Sequence, residues 1–283
     1  MKNYTLIGHP LGHSMSPMIH DALFRLRGRD ASYTLTDIAP EDLAPQADLL
    51  RGLDGFNVTI PHKINIIPML DELHESAKLY NSVNCVRKVN GKLIGYNTDC
   101  DGFLSSTFGF PFDKRVLLVG CGGVGRMMAI EAALQGIARG NRVDLTIAYI
   151  PEAQMQAVDL QCEVRSIICN IANKSVRIVK TYELGGKFDV ILNSSPVGMY
   201  PKTDACPVPD DVIADCEYVF DAVYNPTETQ LLKKAREYGK TAKGGADMLV
   251  LQAVKAHEYW DGDTYTPGEI EPIIRDVEKA VSA

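Results

Sequence analysis

The chain is 283 residues long, enough for one large domain or two ordinary ones, and 46% of it is hydrophobic, enough for one or two substantial cores. Charged residues make up 23% and the net charge is −7, with no long basic run, which argues against nucleic acid or an anionic membrane surface as a partner. No apolar stretch approaches the ~18 residues that span a bilayer, the start MKNYTLIGHP lacks the apolar core of a secretory signal, and seven dispersed Cys with no metal-like spacing suit a reducing cytoplasm.

YTLIG reads as a strand, followed by the Gly- and Pro-rich loop HPLGHSMSP. Pro17 suits the first turn of a helix that Ser16 caps and that runs to about Gly28, with Ile19, Leu23 and Leu26 on one face. SYTLTDI is a second strand, EDLAPQADLL a helix and GFNVTI a third strand, after which Pro61 opens a helix toward Leu70. SVNCVRK and KLIGYN pair across the turn Asn90-Gly91, and Thr98 is a second candidate cap. Strands and helices alternate up to Phe103, which predicts a mainly parallel sheet covered by helices, and SSTFGFPFDK reads as a linker.

A second unit starts near Arg115. RVLLVG is a short apolar strand that runs directly into GCGGVG and then a helix. Gly120, Gly122 and Gly125 make G-x-G-x-x-G, with Gly123 and Val124 between them. A tight strand-to-helix turn alone explains such glycines, but a buried strand before and a helix after are the setting of a dinucleotide site. There the helix N-terminus offers free N–H groups and partial positive charge to a pyrophosphate. The next strand, VDLTIAYI, ends Tyr149-Ile150-Pro151-Glu152, and no Lys or Arg occurs between Arg142 and Arg165. A 2′-phosphate therefore finds no local cation and meets Glu152, so the cofactor reads as NAD(P) with a lean to NAD. Asp144 stands at the start of that strand, too far back for the ribose. SVRIVKT, FDVILNSSP and CEYVFDAVY are further strands; TQLLKKAREYGK is an amphipathic helix ended by Gly239, and DMLVLQAVKAHEYW and GEIEPIIRDVEKAV are the last helices.

The first half sets polar residues at strand ends: Ser14, Ser16, Asn57, Thr59, Lys63, Asn84, Asn97 and Asp99. In an open α/β sheet, ligands bind beyond the carboxyl ends of strands. Donors and acceptors this dense, with few charges, suit a polyhydroxylated substrate. Singly, they are turn and cap residues. His62 reads as a structural hydrogen-bonding histidine, and His9, His13 and His20 have no metal spacing.

HPLGHSMSPMIHDALF, GFNVTIPHK, SVNC with GKLIGYNTDCDGF, GCGGVG, NSSPVGM, DAVYNPTETQLLKKA and GADMLVLQA are similar, in this order, to the motif series of the shikimate dehydrogenase family, which includes quinate/shikimate dehydrogenases. The resemblance implies an α/β fold of two domains: an N-terminal catalytic domain completed by C-terminal helices (residues 1–105 with 246–283) and an inserted Rossmann domain (106–245), with the substrate in the cleft. It implies Lys63 and Asp99 as the catalytic pair, and Ser14, Ser16, Asn57, Thr59, Asn84, Tyr224 and Gln252 around the substrate. Met199 and Gly245 would approach the nicotinamide end. The implied reaction interconverts shikimate or quinate with its 3-dehydro form: the hydride passes to nicotinamide, and Lys63 handles the alcohol proton while Asp99 orients it. No metal is implied, and the enzyme would be a cytoplasmic monomer or homodimer. The family's Gly-Ala-Val-Asn-Thr run appears here as Asn81-Ser82-Val83-Asn84-Cys85, and its Asn-Arg-Thr element, which holds the NADP phosphate in many members, as Tyr149-Ile150-Pro151. The competing readings are a non-catalytic regulatory protein that binds nucleotide and a cyclic acid, and a family member acting on an amino-substituted analogue.

Overall fold

The computed structural model describes residues 1–12 and 14–282; His13 lies outside the described residues. The chain forms two compact units, residues 1–102 with 249–277 and residues 103–248 with 278–283.

The first unit contains β1 (Lys2–Gly8), α1 (Ser16–Leu26), β2 (Ala31–Asp37), α2 (Ala47–Gly52), β3 (Gly55–Val58), α3 (His62–Asn65), β4 (Glu72–Leu73), α4 (Glu75–Tyr80), β5 (Cys85–Val89) and β6 (Lys92–Tyr96), with α5 (Asp99–Ser106) beginning in it. The sheet order is β2-β1-β3-β5-β6-β4. β1 runs parallel to β2 and β3, whereas β5 is antiparallel to β3 and β6, so the sheet is mixed rather than mainly parallel. The hairpin causes this: Asn90 and Gly91 take φ of 51° and 80°, so β5 and β6 join by a tight turn without a crossover helix. Ile7, Phe56, Val58, Ile66 and Val86 fill the core beneath the sheet.

Prolines and side-chain caps move several helix ends from where the sequence pattern sets them. EDLAPQADLL is not one helix: two 3-10 turns, Pro40–Asp42 and Ala44–Gln46, precede α2, since Pro45 cannot donate to a helical ladder. The helix after Pro61 likewise stops at Asn65 and continues as a 3-10 turn around Pro68. Ser16 is inside α1 rather than capping it; Met15 is the cap residue, and the Ser14 hydroxyl accepts from the Ser16 N–H at 3.2 Å. At α5 the capping side chain is Asn97, whose Oδ1 accepts from the N–H of Asp99 at 3.1 Å, and not Thr98.

The second unit contains β7 (Arg115–Val119), α6 (Gly123–Gly140), β8 (Arg142–Tyr149), α7 (Gln154–Ile167), β9 (Asn173–Lys180), β10 (Val190–Asn193), α8 (Asp210–Asp215), β11 (Tyr218–Asp221), α9 (Gln230–Glu237) and β12 (Thr241–Lys243). Its six strands are all parallel in the order β12-β11-β10-β7-β8-β9. This is the doubly wound arrangement, with the switch point where β7 lies between β8 and β10. Gly239 takes φ of 72° just past α9, as a helix terminator requires. The expected linker is not loose: Phe110 and Phe112 are buried, with Phe110 5.0 Å from the Tyr218 ring. Apolar bulk outweighs the Gly-Pro signal there. α10 (Gly245–Asp261) and α11 (Pro267–Ser282) end the chain. Among the described residues, no helix is long and apolar enough to cross a membrane.

Candidate active site

In the first unit, β3 ends just before Thr59, and α3 begins three residues later with His62 and Lys63. His62 is fully buried and its Nε2 donates to the Ile38 carbonyl at 2.6 Å, which makes it a structural anchor for the turn. The Lys63 carbonyl accepts from the Val83 N–H at 2.8 Å, so the turn is also tied to the segment entering β5. From this fixed base Lys63 Nζ donates to Asp99 Oδ2 at 2.6 Å. The two side chains are 24% and 17% exposed, shielded enough to strengthen the pair yet open to a small molecule. An ammonium has three N–H groups, so a bond to Asp99 leaves donors for an incoming hydroxyl.

Asn84 organises the rest of the cluster. Its Nδ2 donates to Asp99 Oδ1 at 2.9 Å and to Thr98 Oγ1 at 3.0 Å, and lies 3.5 Å from Gln252 Oε1. Its Oδ1 accepts from the Thr98 N–H at 2.6 Å, which fixes the amide orientation. Asn57 is buried; its Nδ2 donates to the Asn84 carbonyl at 3.1 Å, and its Oδ1 accepts from the Tyr33 hydroxyl at 2.8 Å. Asn97 spends its side chain on the α5 start and on the Ser82 carbonyl, to which it donates at 3.1 Å. Lys63, Asp99, Asn84 and Gln252 are thus brought together directly, and Asn57 joins them through Asn84. Ser14 and Ser16 meet at the start of α1. Thr59 stays part-exposed, its N–H donating to the Ile7 carbonyl at 2.9 Å. Tyr224 belongs to the second unit and the other expected substrate residues to the first.

In the second unit a cavity of about 730 Å³ opens at the carboxyl ends of β7, β8 and β10, lined by Gly120, Gly122, Tyr149, Ile150, Tyr182 and Ser195 among others. Gly120 takes φ of 96°, and a Cβ on Gly125 would stand 2.6 Å from both the Gly120 carbonyl oxygen and Ser194 Oγ. These two glycines let strand and helix close on each other. Cβ atoms on Gly122 and Gly123 would meet nothing within 4 Å, so the backbone faces open space at the start of α6. Gly122 caps this 18-residue helix without a side-chain bond. Backbone donors facing open space at a helix N-terminus fit a dinucleotide pyrophosphate.

At the end of β8, Tyr149 is buried under the cavity, Glu152 is exposed in the turn that follows, and Asp144 is held at the far end of the strand by Arg177, at 2.9 Å. The fold adds a cation that the local sequence does not show. Lys180 pairs with Tyr149 in register on β9, 3.8 Å from Glu183 and 5.5 Å from the centre of the Tyr182 ring. Beyond β10 and β11 the turns carrying Met199 and Tyr224 are tied by Asp221, which accepts from Asn193 Nδ2 at 2.9 Å, the Val223 N–H at 3.0 Å and Thr229 Oγ1 at 2.7 Å. Burial pushes the Asp221 carboxyl up to about 6, against the pull of those three bonds. Gly245 starts α10 hard against β11's exit, where a Cβ would stand 2.3 Å from the Ala222 carbonyl oxygen. Among the described residues no group of three or more His, Cys, Asp and Glu side chains is arranged to hold a metal.

The sequence reading passed over Tyr33, Asn193 and Asp221. Tyr33 looks like one more aromatic in an alternating strand, and only the fold aims its hydroxyl at Asn57. Asn193 and Asp221 come from different strands, so no linear spacing links them.

Residues 6–86 match the family model of the shikimate dehydrogenase substrate binding domain. The chain is 34% identical over 281 residues to "Shikimate dehydrogenase (NADP(+))" of Shouchella clausii, which spans 97% of this chain and 98% of that one. A crystal structure of a shikimate dehydrogenase in complex with NADP+ superposes with a TM-score of 0.83 at 33% identity, covering 97% of this chain and 95% of that one. The shikimate 5-dehydrogenase of Listeria monocytogenes, crystallised with shikimate and NAD, gives 0.82 at 27% identity over 96% of both chains.

Proposed function

Because the chain belongs to the shikimate dehydrogenase family, we propose that it is an NAD(P)-dependent oxidoreductase interconverting shikimate and its 3-dehydro form. The observation that carries this reading is the 2.6 Å bond between Lys63 and Asp99, with Asn84 holding the other carboxylate oxygen. When bound in the second unit, the dinucleotide supplies the nicotinamide ring that gives or takes the hydride. This chain's residues do the rest. Asp99 orients the Lys63 ammonium; Lys63 donates to the reacting oxygen, and Asp99 accepts from it when it is a hydroxyl. In the reducing direction Lys63 delivers a proton to that oxygen as negative charge grows on it; in the oxidising direction it takes the proton back. Asn84 and Gln252 contact the neighbouring hydroxyls, and Ser14 and Ser16 receive the carboxylate. Met199 serves the nicotinamide end, with Gly245 leaving room for backbone there.

The finer reading of the cofactor is a preference for NAD. The turn after β8 offers a 2′-phosphate the exposed Glu152 and no cation of its own, and Lys180 is shared with Glu183 and the Tyr182 ring. Against it stand the NADP names of the relatives above. Initial rates of reduced-nicotinamide formation, with NAD and NADP each paired with shikimate and with quinate, test both levels at once. The expected result is turnover of shikimate, faster with NAD at equal concentration. No turnover of either acid with either cofactor defeats the enzyme reading, and a strong NADP preference defeats only the finer one.

A further inference from the structure

Tyr33 lies on β2, outside the motifs that carry the family resemblance, yet its phenol is bonded into the substrate cluster. The hydroxyl has one proton, and it is given to Asn57 Oδ1 at 2.8 Å. Asn57 is held at its other end as well, Nδ2 donating to the Asn84 carbonyl, so the phenol and that carbonyl together hold both ends of the Asn57 amide. Through Asn84 the chain of bonds continues to Asp99 and from there to Lys63.

The ring is itself clamped. His20 stacks on it with ring centres 4.0 Å apart and planes within 9°. His20 Nδ1 lies 2.9 Å from His257 Nε2, and His257 Nδ1 lies 2.9 Å from the Tyr265 hydroxyl. Tyr265 donates to the Leu23 carbonyl at 3.2 Å, so His257 donates to Tyr265 through Nδ1 and receives a proton at Nε2 from His20. The Tyr33 ring is thereby fixed from a buried side that no substrate reaches, since His20 and His257 are both fully buried.

We propose that Tyr33 is a positioning residue for the hydroxy acid: its hydroxyl, on a ring clamped by His20, holds the Asn57 amide in place before substrate arrives. The proposal rests on the proposed function and on the substrate contact that the family resemblance implies for Asn57. When the hydroxy acid binds, the bond from Tyr33 to Asn57 persists. Tyr33 touches neither the reacting carbon nor the dinucleotide. Its loss therefore acts on substrate affinity and not on the proton step.

The test is Tyr33→Phe, which keeps the ring and its stack on His20. Two measurements are made on the full chain. The first follows the Asn57 side-chain amide by nitrogen-edited NMR, with Asn57→Asp to assign it. The expected result is a pair of slowly exchanging amide protons in the parent that broaden or exchange at least ~10-fold faster in Tyr33→Phe; an unchanged amide signal overturns the proposal. The second compares kinetics. The expected result is a KM for shikimate raised about tenfold, a KM for the dinucleotide unchanged and kcat within about threefold. A fall in kcat at unchanged shikimate KM also overturns it. If the parent turns over neither acid, the enzyme reading has failed, while the amide measurement still decides whether Tyr33 orients Asn57.

Discussion

In the first unit the polar side chains at the strand ends are braced by hydrogen bonds: Lys63 to Asp99, Asp99 to Asn84, and Asn57 to both the Asn84 main-chain carbonyl and Tyr33. In the second, the ends of β7 and β8 offer main chain instead, with Gly122 and Gly123 facing open space beside an apolar cavity. The difference matches the two ligands proposed above. A small polyhydroxylated acid is distinguished only by donors and acceptors at fixed positions, so its site is built from side chains braced against each other. A dinucleotide brings its own charge and length, so its site needs close backbone approach, a helix N-terminus and an apolar wall.

If chemistry resides in the side-chain unit and binding in the backbone unit, substitutions in the two separate kcat from dinucleotide affinity. The largest effect expected is that of Asp99→Asn, which leaves Lys63 without its carboxylate. Turnover falls ~10²- to 10⁴-fold, while dinucleotide affinity, read by calorimetry, is unchanged. Parallel losses in both quantities break the contrast.

The units also differ in how they respond to acid. Burial pushes the His257 imidazole down to about 4; Asp261 and Asp263 oppose that shift and Arg29 adds to it, and His20 is lowered by burial and by His257. The unfolded chain takes its proton near 6.5 and the native one only near 4, so stability is complete above pH 6.5 and is lost as pH falls to 4. The loss is about 3 kcal/mol. Asp221 has the opposite sign: raised to about 6 from 3.8, it is protonated first in the native state, so its buried charge costs stability at neutral pH and the cost vanishes as pH falls through that range. Trp260 is the single Trp and lies in the first unit, so its fluorescence reports unfolding there. Between neutral pH and about pH 4, the denaturant midpoint seen at Trp260 should fall less in His257→Gln than in the parent. Identical pH profiles for the two proteins contradict the assignment to His257.

A smaller effect is expected at the glycine turn. Gly125→Ala forces a Cβ against the Gly120 carbonyl oxygen and Ser194 Oγ. The main chain must shift, at a cost of about 1–3 kcal/mol. Dinucleotide affinity should weaken about tenfold with shikimate affinity, measured by calorimetry without dinucleotide, unaltered. An equal loss for both ligands sinks the division.

How the fold was read from the sequence follows the same line. RVLLVG running into GCGGVG carried the second sheet's first strand, turn and helix, because glycine spacing is local chemistry. Asn90-Gly91 carried the hairpin for the same reason, and the mixed sheet it produces departs from the parallel expectation. The bonds at the starts of α1 and α5 come from Ser14 and Asn97 and not from the expected caps Ser16 and Thr98, because Ser, Thr and Asn all suit that role and only the fold selects among them. The motif residues Lys63, Asp99, Asn84 and Gln252 converge as the family resemblance implies. What supports them, Tyr33 with the His20–His257 pair behind it, comes from β2, α1 and α10, and no spacing in one chain segment announces such a stack. Lys180 reaches the end of β8 from the neighbouring strand for the same reason.

The proton step is tested most directly by Lys63→Ala with the amine added back. The variant should bind dinucleotide and shikimate as the parent does, turn over ~10²- to 10⁴-fold more slowly, and recover part of that rate as methylamine is titrated in. Near-parental turnover without added amine would show that the proton moves by another route, and that the bond from Lys63 to Asp99 is structural.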